Sequence, residues 1–185
     1  MSAGPGPGRA TRRATLRASL LVSLLAAGLL WDRLAQITAV PRAPLAAPVD
    51  RLLVEKGARR LTVFRDGAAL RVYPVTLGFE PQGPKLRQGD GRTPEGLFRI
   101  DRKNAASRFH LALGLDYPRA EDRARAAAAG VAPGGDIFIH GQPGGLGPRE
   151  RLTTDWTAGC IAVSNAVMDE LWPAVGLGTE IEVRP

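Results

Sequence analysis

The chain has 185 residues, 44% of them apolar, enough for one domain with a proper core plus an appendage. Its formal charge is +7, yet residues 1–48 hold six Arg against one Asp, and the remainder is nearly balanced at 19 basic and 17 acidic residues. A basic excess gathered in a leader argues against a nucleic-acid stripe, which would cluster on the fold itself; one Cys excludes an internal disulfide, and one Cys with two His argues against a dedicated zinc site.

Residues 1–17 are small and basic, with Arg9, Arg12, Arg13 and Arg17. An uncharged apolar run follows from Ala18 to Trp31. It is short for a full span of roughly 20 residues but suits the apolar region of a signal peptide. Basic residues before it point to export across a membrane, and residues 18–31 read either as a removed signal or as an anchor. Residues 32–48 form a Pro/Ala-rich linker, with three prolines between Pro41 and Pro48. A folded domain is expected over residues 49–185.

From Arg51 the pattern has period two. Leu52 and Val54, then Leu61 and Val63, define two strands, and Asp66-Gly67 marks a hairpin turn. Leu70, Val72 and Thr76 continue on the far side, with Pro74 pointing to an edge or a bulge. Residues 78–96 are glycine-rich. Within them Gly89-Asp90-Gly91-Arg92-Thr93-Pro94-Glu95-Gly96 lacks the Gly-Lys-Ser/Thr of a phosphate loop and the spaced carboxylates of a calcium loop. Strands are predicted at Leu97–Ile100 and Phe109–Leu115, where His110 stands between apolar neighbours as a structural residue. Residues 119–130 predict an alanine-rich helix, acidic in its first turn and ended by Gly130. Ile137-Phe138-Ile139 is a short strand. Ser164 caps a second helix to about Val175, Gly176-Leu177-Gly178 is a stop, and Glu180–Arg184 alternates as a last strand.

The chemistry-bearing stretch runs from Asp136 to Asn165. It holds the only cysteine, Cys160, and one of two histidines, His140. His140 ends one apolar run and Cys160 opens another, so a loop between neighbouring strand ends brings them together. A thiol attacks as thiolate, and a nearby imidazole is the usual means of making one near neutral pH. Gly159 lets backbone N–H groups approach a developing oxyanion. Trp156 either walls the pocket or packs the core. Asp155 either orients the base or caps a turn, and a backbone carbonyl, nearest that of Gly141, would fix the imidazole tautomer.

His140-Gly141, a loop, then Thr157-Ala158-Gly159-Cys160 resembles the signature of the L,D-transpeptidase (YkuD-type) catalytic domain. Asp155–Asn165 resembles its YafK-like branch, and Thr93-Pro94-Glu95-Gly96 resembles another recurrent element of the family. Two departures stand out: Ala158 where the family has a histidine, and Ala162 where it has an arginine. The resemblance implies a mainly β fold with added helices, an L,D-transpeptidase-like β-sandwich, in a bacterial envelope protein exported to the periplasm or anchored in the inner membrane. It implies acyl transfer on peptidoglycan stem peptides through a Cys160 thioester, with His140 as base, Gly159 at the oxyanion, and no metal or cofactor. Arg92, Arg149 and Arg151 are candidates to receive substrate carboxylates, with Trp156 and Thr157 beside them. Two alternatives stay open: a hydrolase of the same fold that cuts lipoprotein–peptidoglycan links, and a non-catalytic peptidoglycan-binding protein.

Overall fold

The first strand, β1 (Val49–Glu55), pairs antiparallel with β2 (Arg60–Arg65), and β2 with β3 (Ala68–Pro74). The computed structural model describes residues 44, 45 and 48–185, so the expectations for 1–17 and 18–31 fall outside the described residues, as does most of the 32–48 linker. Among the described residues no helix is long and apolar enough to cross a membrane. Asp66 and Gly67 turn the β2–β3 hairpin with φ of 49° and 76°. Positive φ at both central residues is the turn whose twist matches the flanking strands. Pro74 ends the edge strand, as its missing N–H requires.

The long strand β4 (Gly96–Ser107) serves two neighbours. Its first residues pair with β8 (Val175–Arg184), and from Ile100 onward it pairs with β5 (His110–Leu115). Helix α1 (Ala120–Ala128), strands β6 (Phe138–His140) and β7 (Ile161–Ala162), and helix α2 (Asn165–Ala174) complete the order. The sheet runs β3-β2-β1-β8-β4-β5-β6-β7. Among the described residues the fold is mainly β with two helices, as expected, and the layers are two halves of one curled sheet that turn about β4. Leu52, Val54, Val63, Ile181 and Val183 of one half and Leu113, Leu115, Ile139 and Ile161 of the other bury into a single core. Beyond β3, Thr76 and Ala162 exchange hydrogen bonds of 2.9 and 2.8 Å, and Gly78 bridges Thr157. The two ends of the sheet are thereby joined.

β4 runs seven residues past the expected Ile100 because Asp101–Ser107 lies mostly outside the core and shows no apolar period. β8 likewise begins at Val175 rather than Glu180. Val175 pairs with Val49 and Glu180 with Arg51, so extra residues bulge between, and Gly178 absorbs the shift at φ 84°. Both helices lie where expected. Ser164 Oγ accepts the Val167 N–H, and Gly130 follows α1 at φ 68°.

The glycine-rich segment before β4 is built around Asp90. Its carboxylate accepts the N–H groups of Leu86, Arg87 and Arg92 and the Lys85 ammonium at 2.7–3.1 Å. Burial pushes the Asp90 pKa up, but Lys85 and the three amides outweigh it and bring it down to about 2. A depressed carboxylate stabilises the fold above its unfolded pKa and loses that contribution as pH falls toward 2. Asp90→Asn is therefore expected to cost about 2 kcal/mol at neutral pH. Urea melts at pH 7 and pH 2.5 would check this, the difference between variants shrinking at the lower pH.

Candidate active site

Period two on β6 sends Ile137 and Ile139 into the core, 2% and 0% exposed, and turns Phe138 and His140 to the opposite face. β7 pairs parallel with β6, Ile139 opposite Ile161 and His140 opposite Ala162. Cys160 thus stands level with Phe138 and on the same face as His140. Parallel strands lie about 4.8 Å apart and rise roughly 3.3 Å per residue, so thiol and imidazole are neighbours. Both line one cleft of about 310 Å³, with Asn104, Ala106, Ser107, Arg108, Phe109, Ala112, Phe138 and Asp136.

His140 is 4% exposed, and its Nδ1 lies 2.7 Å from the Gly141 carbonyl oxygen. A carbonyl only accepts, so Nδ1 carries the proton and Nε2 keeps its lone pair. Phe109 stacks on the imidazole at 4.8 Å between centroids, and Trp156 meets it edge-on at 5.7 Å. Burial pushes the His140 pKa below its ordinary value, partly offset by the Gly141 carbonyl. Cys160 is half-buried, and its thiol donates to the Asp136 carbonyl oxygen at 3.3 Å. Burial pushes its pKa up, while a hydrogen bond with the Phe138 backbone draws it down. Both shifts favour neutral forms. The environment thus favours a thiol beside a neutral imidazole whose Nε2 is free to accept a proton.

The turn before Cys160 is bound from within. Thr157 is buried; its hydroxyl donates to the Cys160 carbonyl oxygen at 2.7 Å and accepts the Gly159 N–H at 3.1 Å. Thr157, expected at the substrate, turns its hydroxyl back into the cysteine's own turn, where it both donates and accepts. Gly159 has φ 139°, and a Cβ there would meet the Arg92 carbonyl oxygen at 2.6 Å. The Thr93-Pro94-Glu95-Gly96 element backs this turn: Thr93 Oγ1 accepts the Gly78 N–H at 3.1 Å, and Lys56 Nζ binds the Thr93 carbonyl at 3.0 Å and Glu95 at 2.8 Å.

Asp155 does not reach the imidazole. It accepts from Arg59 Nη2 at 2.6 Å and from the Leu77 N–H at 2.8 Å, fixing the cysteine loop to the start of the sheet. Asp155→Ala is expected to lower unfolding free energy by about 1–3 kcal/mol, since it strands a backbone donor and breaks a charge-assisted pair. Thermal melts would read it, and an unchanged melting temperature would refute the clamp.

None of the three arginines expected to meet substrate lines the cleft. The Arg92 guanidinium lies beside Gly83, and Arg149 and Arg151 sit in the loop after Gln142, Arg149 exposed. The cation that does line it is Arg108, in the β4–β5 turn. No local signal marked it, because only the pairing of β5 with β6 carries that turn to His140. His110 is exposed at the start of β5, and its Nε2 lies 2.6 Å from Asp169 of α2. Among the described residues no group of three or more His, Cys, Asp or Glu is placed to hold a metal.

Residues 49–183 match the YkuD L,D-transpeptidase catalytic domain. YafK of Escherichia coli (strain K12), which carries a provisional L,D-transpeptidase name, is 32% identical over 95 residues, covering 50% of this chain and 32% of that protein. The chain therefore matches only about a third of its curated relative's length. Among solved structures, the helical cell shape determining protein Pgp2 of Campylobacter jejuni aligns with a TM-score of 0.57 at 25% identity, over 74% of this chain and 48% of that one. A Xylanimonas cellulosilytica L,D-transpeptidase shares the fold, with a TM-score of 0.50 at 17% identity over 82% and 68% of the two chains.

Proposed function

The chain belongs to the L,D-transpeptidase (YkuD) catalytic-domain family, and from that premise we propose that it performs cysteine-dependent acyl transfer on peptidoglycan stem peptides in the bacterial envelope. The observation that carries the proposal is the placing of Cys160 and His140 on one face of paired strands, with Nδ1 of the imidazole held by the Gly141 carbonyl.

Cys160 Sγ attacks a stem-peptide amide carbonyl, and His140 Nε2 takes the thiol proton as the S–C bond forms. The Cys160 N–H faces the oxyanion, because that of Gly159 is already given to Thr157. Collapse of the tetrahedral adduct breaks the C–N bond, the amine leaves with the proton from His140, and a thioester remains. An acceptor amine then attacks the thioester, giving up a proton to His140 and restoring the thiol. Water as acceptor gives hydrolysis by the same steps. The Asp155–Asn165 string, which resembles the YafK-like branch, is what keeps this second reading, with lipoprotein–peptidoglycan links as its substrate.

Purified muropeptides and lipoprotein-linked peptidoglycan, incubated with the protein and analysed by mass spectrometry, separate the two. New cross-links mean transfer, and loss of the lipoprotein remnant means hydrolysis. If neither appears and a carbapenem leaves Cys160 unacylated, the enzymatic reading is wrong.

A further inference from the structure

The charged residues lining the cleft beside Cys160 are Asp136 and Arg108. Arg108 and Phe109 form the turn closed by the Ser107–His110 pair. The guanidinium carbon lies 5.5 Å from the Phe109 ring centroid, and the other contact of that ring is the His140 imidazole at 4.8 Å, with Trp156 edge-on at 5.3 Å. The turn is anchored to the base-bearing strand by the Gly141 N–H, which donates to the Phe109 carbonyl oxygen at 2.9 Å. A Cβ at Gly141 would fall 2.8 Å from that same oxygen, so the fit is close.

Other cations near the cleft are engaged. Arg102 pairs with Asp101 at 2.7 Å and reaches Asp136 at 3.5 Å, while its guanidinium lies over Phe138. Lys85 pairs with Asp90 at 2.7 Å, and Lys103 donates to the Trp172 and Val175 carbonyls. Arg108 has no carboxylate partner among the described residues. Position 162, where the family resemblance places an arginine, is a fully buried alanine whose backbone is tied to Thr76.

We propose that Arg108 is the specificity residue of this cleft, receiving a free carboxylate of the peptide whose carbonyl is presented to Cys160. The proposal rests on the acyl-transfer reading for the identity of the peptide but not for the contact itself. A guanidinium binds a carboxylate in fork geometry, and an aromatic ring beneath it limits the directions it samples. The charge is thus supplied from the β4–β5 turn instead of from the strand that follows the cysteine.

The test uses Cys160→Ala protein, which binds without reacting. It is titrated calorimetrically with a stem tetrapeptide carrying free carboxylates, and with the same peptide fully amidated. The free form is expected to bind about tenfold more tightly, as one charge-assisted contact allows. Adding Arg108→Ala should erase that preference, and adding Arg108→Lys should keep part of it. Equal binding of the two forms, no binding of the free form, or a preference that survives Arg108→Ala would each overturn the assignment. A parallel turnover assay on the unmutated protein judges the acyl-transfer reading separately.

Discussion

Replacing Cys160 with alanine is expected to abolish turnover while leaving the domain folded. The covalent route has no other nucleophile: Cys160 is the only thiol in the chain. The residue contributes little to the fold. It is half-buried, and its side chain makes only weak contacts with backbone, among them the thiol's hydrogen bond to the Asp136 carbonyl at 3.3 Å. Losing one weak thiol bond costs about 1 kcal/mol or less, whereas the turn it sits in is held by Thr157 and Asp155. The expected result is a melting temperature within a few degrees of wild type, no mass shift with an acylating carbapenem, and no product from muropeptides. Retained turnover would remove Cys160 from the mechanism. A collapsed melt would give it a structural role that its surroundings do not suggest.

Replacing His140 with alanine is expected to reduce turnover by roughly 10²–10⁴-fold, the usual worth of a positioned base. The residual rate should depend on pH in a defined way. Burial lowers the His140 pKa, so the wild-type imidazole stays neutral and basic through the neutral range and is lost as a base only as pH falls below its ordinary value. Burial raises the Cys160 pKa, so without the imidazole the sulfur is protonated at neutral pH. The variant's rate should climb about tenfold per pH unit until the thiol ionises, while wild type levels off at lower pH. Paired pH–rate profiles would decide. A variant with a profile parallel to wild type would show that the imidazole does not take the thiol proton.

What could be read from the chain is what depends on near neighbours. Ile137 and Ile139 alternate with Phe138 and His140, and that local pattern already puts the histidine on the face opposite the core. The Gly141 carbonyl, one residue on, was in reach of the same reasoning and is the partner found at Nδ1. Thr157 was not, because a hydroxyl in a loop reads alike whether it meets substrate or turns back onto Cys160 and Gly159. Arg108 was illegible for a different reason. It is adjacent to Phe109 in sequence but comes to His140 only through the register of β5 on β6, which no period announces. The far half of β4 escaped notice because charge and alanine replace apolar alternation once a strand leaves the core.

The bridges joining Thr76 to Ala162 and Gly78 to Thr157 also bear on when the turn before Cys160 is completed. They connect the outermost strands of the sheet, one from early in the domain and one from near its end, and the thiol stands two residues from the later of them. Contacts between such distant segments are costly in loop entropy and are rewarded only late in folding. A chain with β6 and β7 paired but this closure still open would keep Cys160 beside His140, since that pairing sets them side by side, but would leave the turn before the cysteine without its hold on Thr76 and Gly78. A variant that opens the closure is then expected to loosen the cysteine turn before the rest of the domain unfolds.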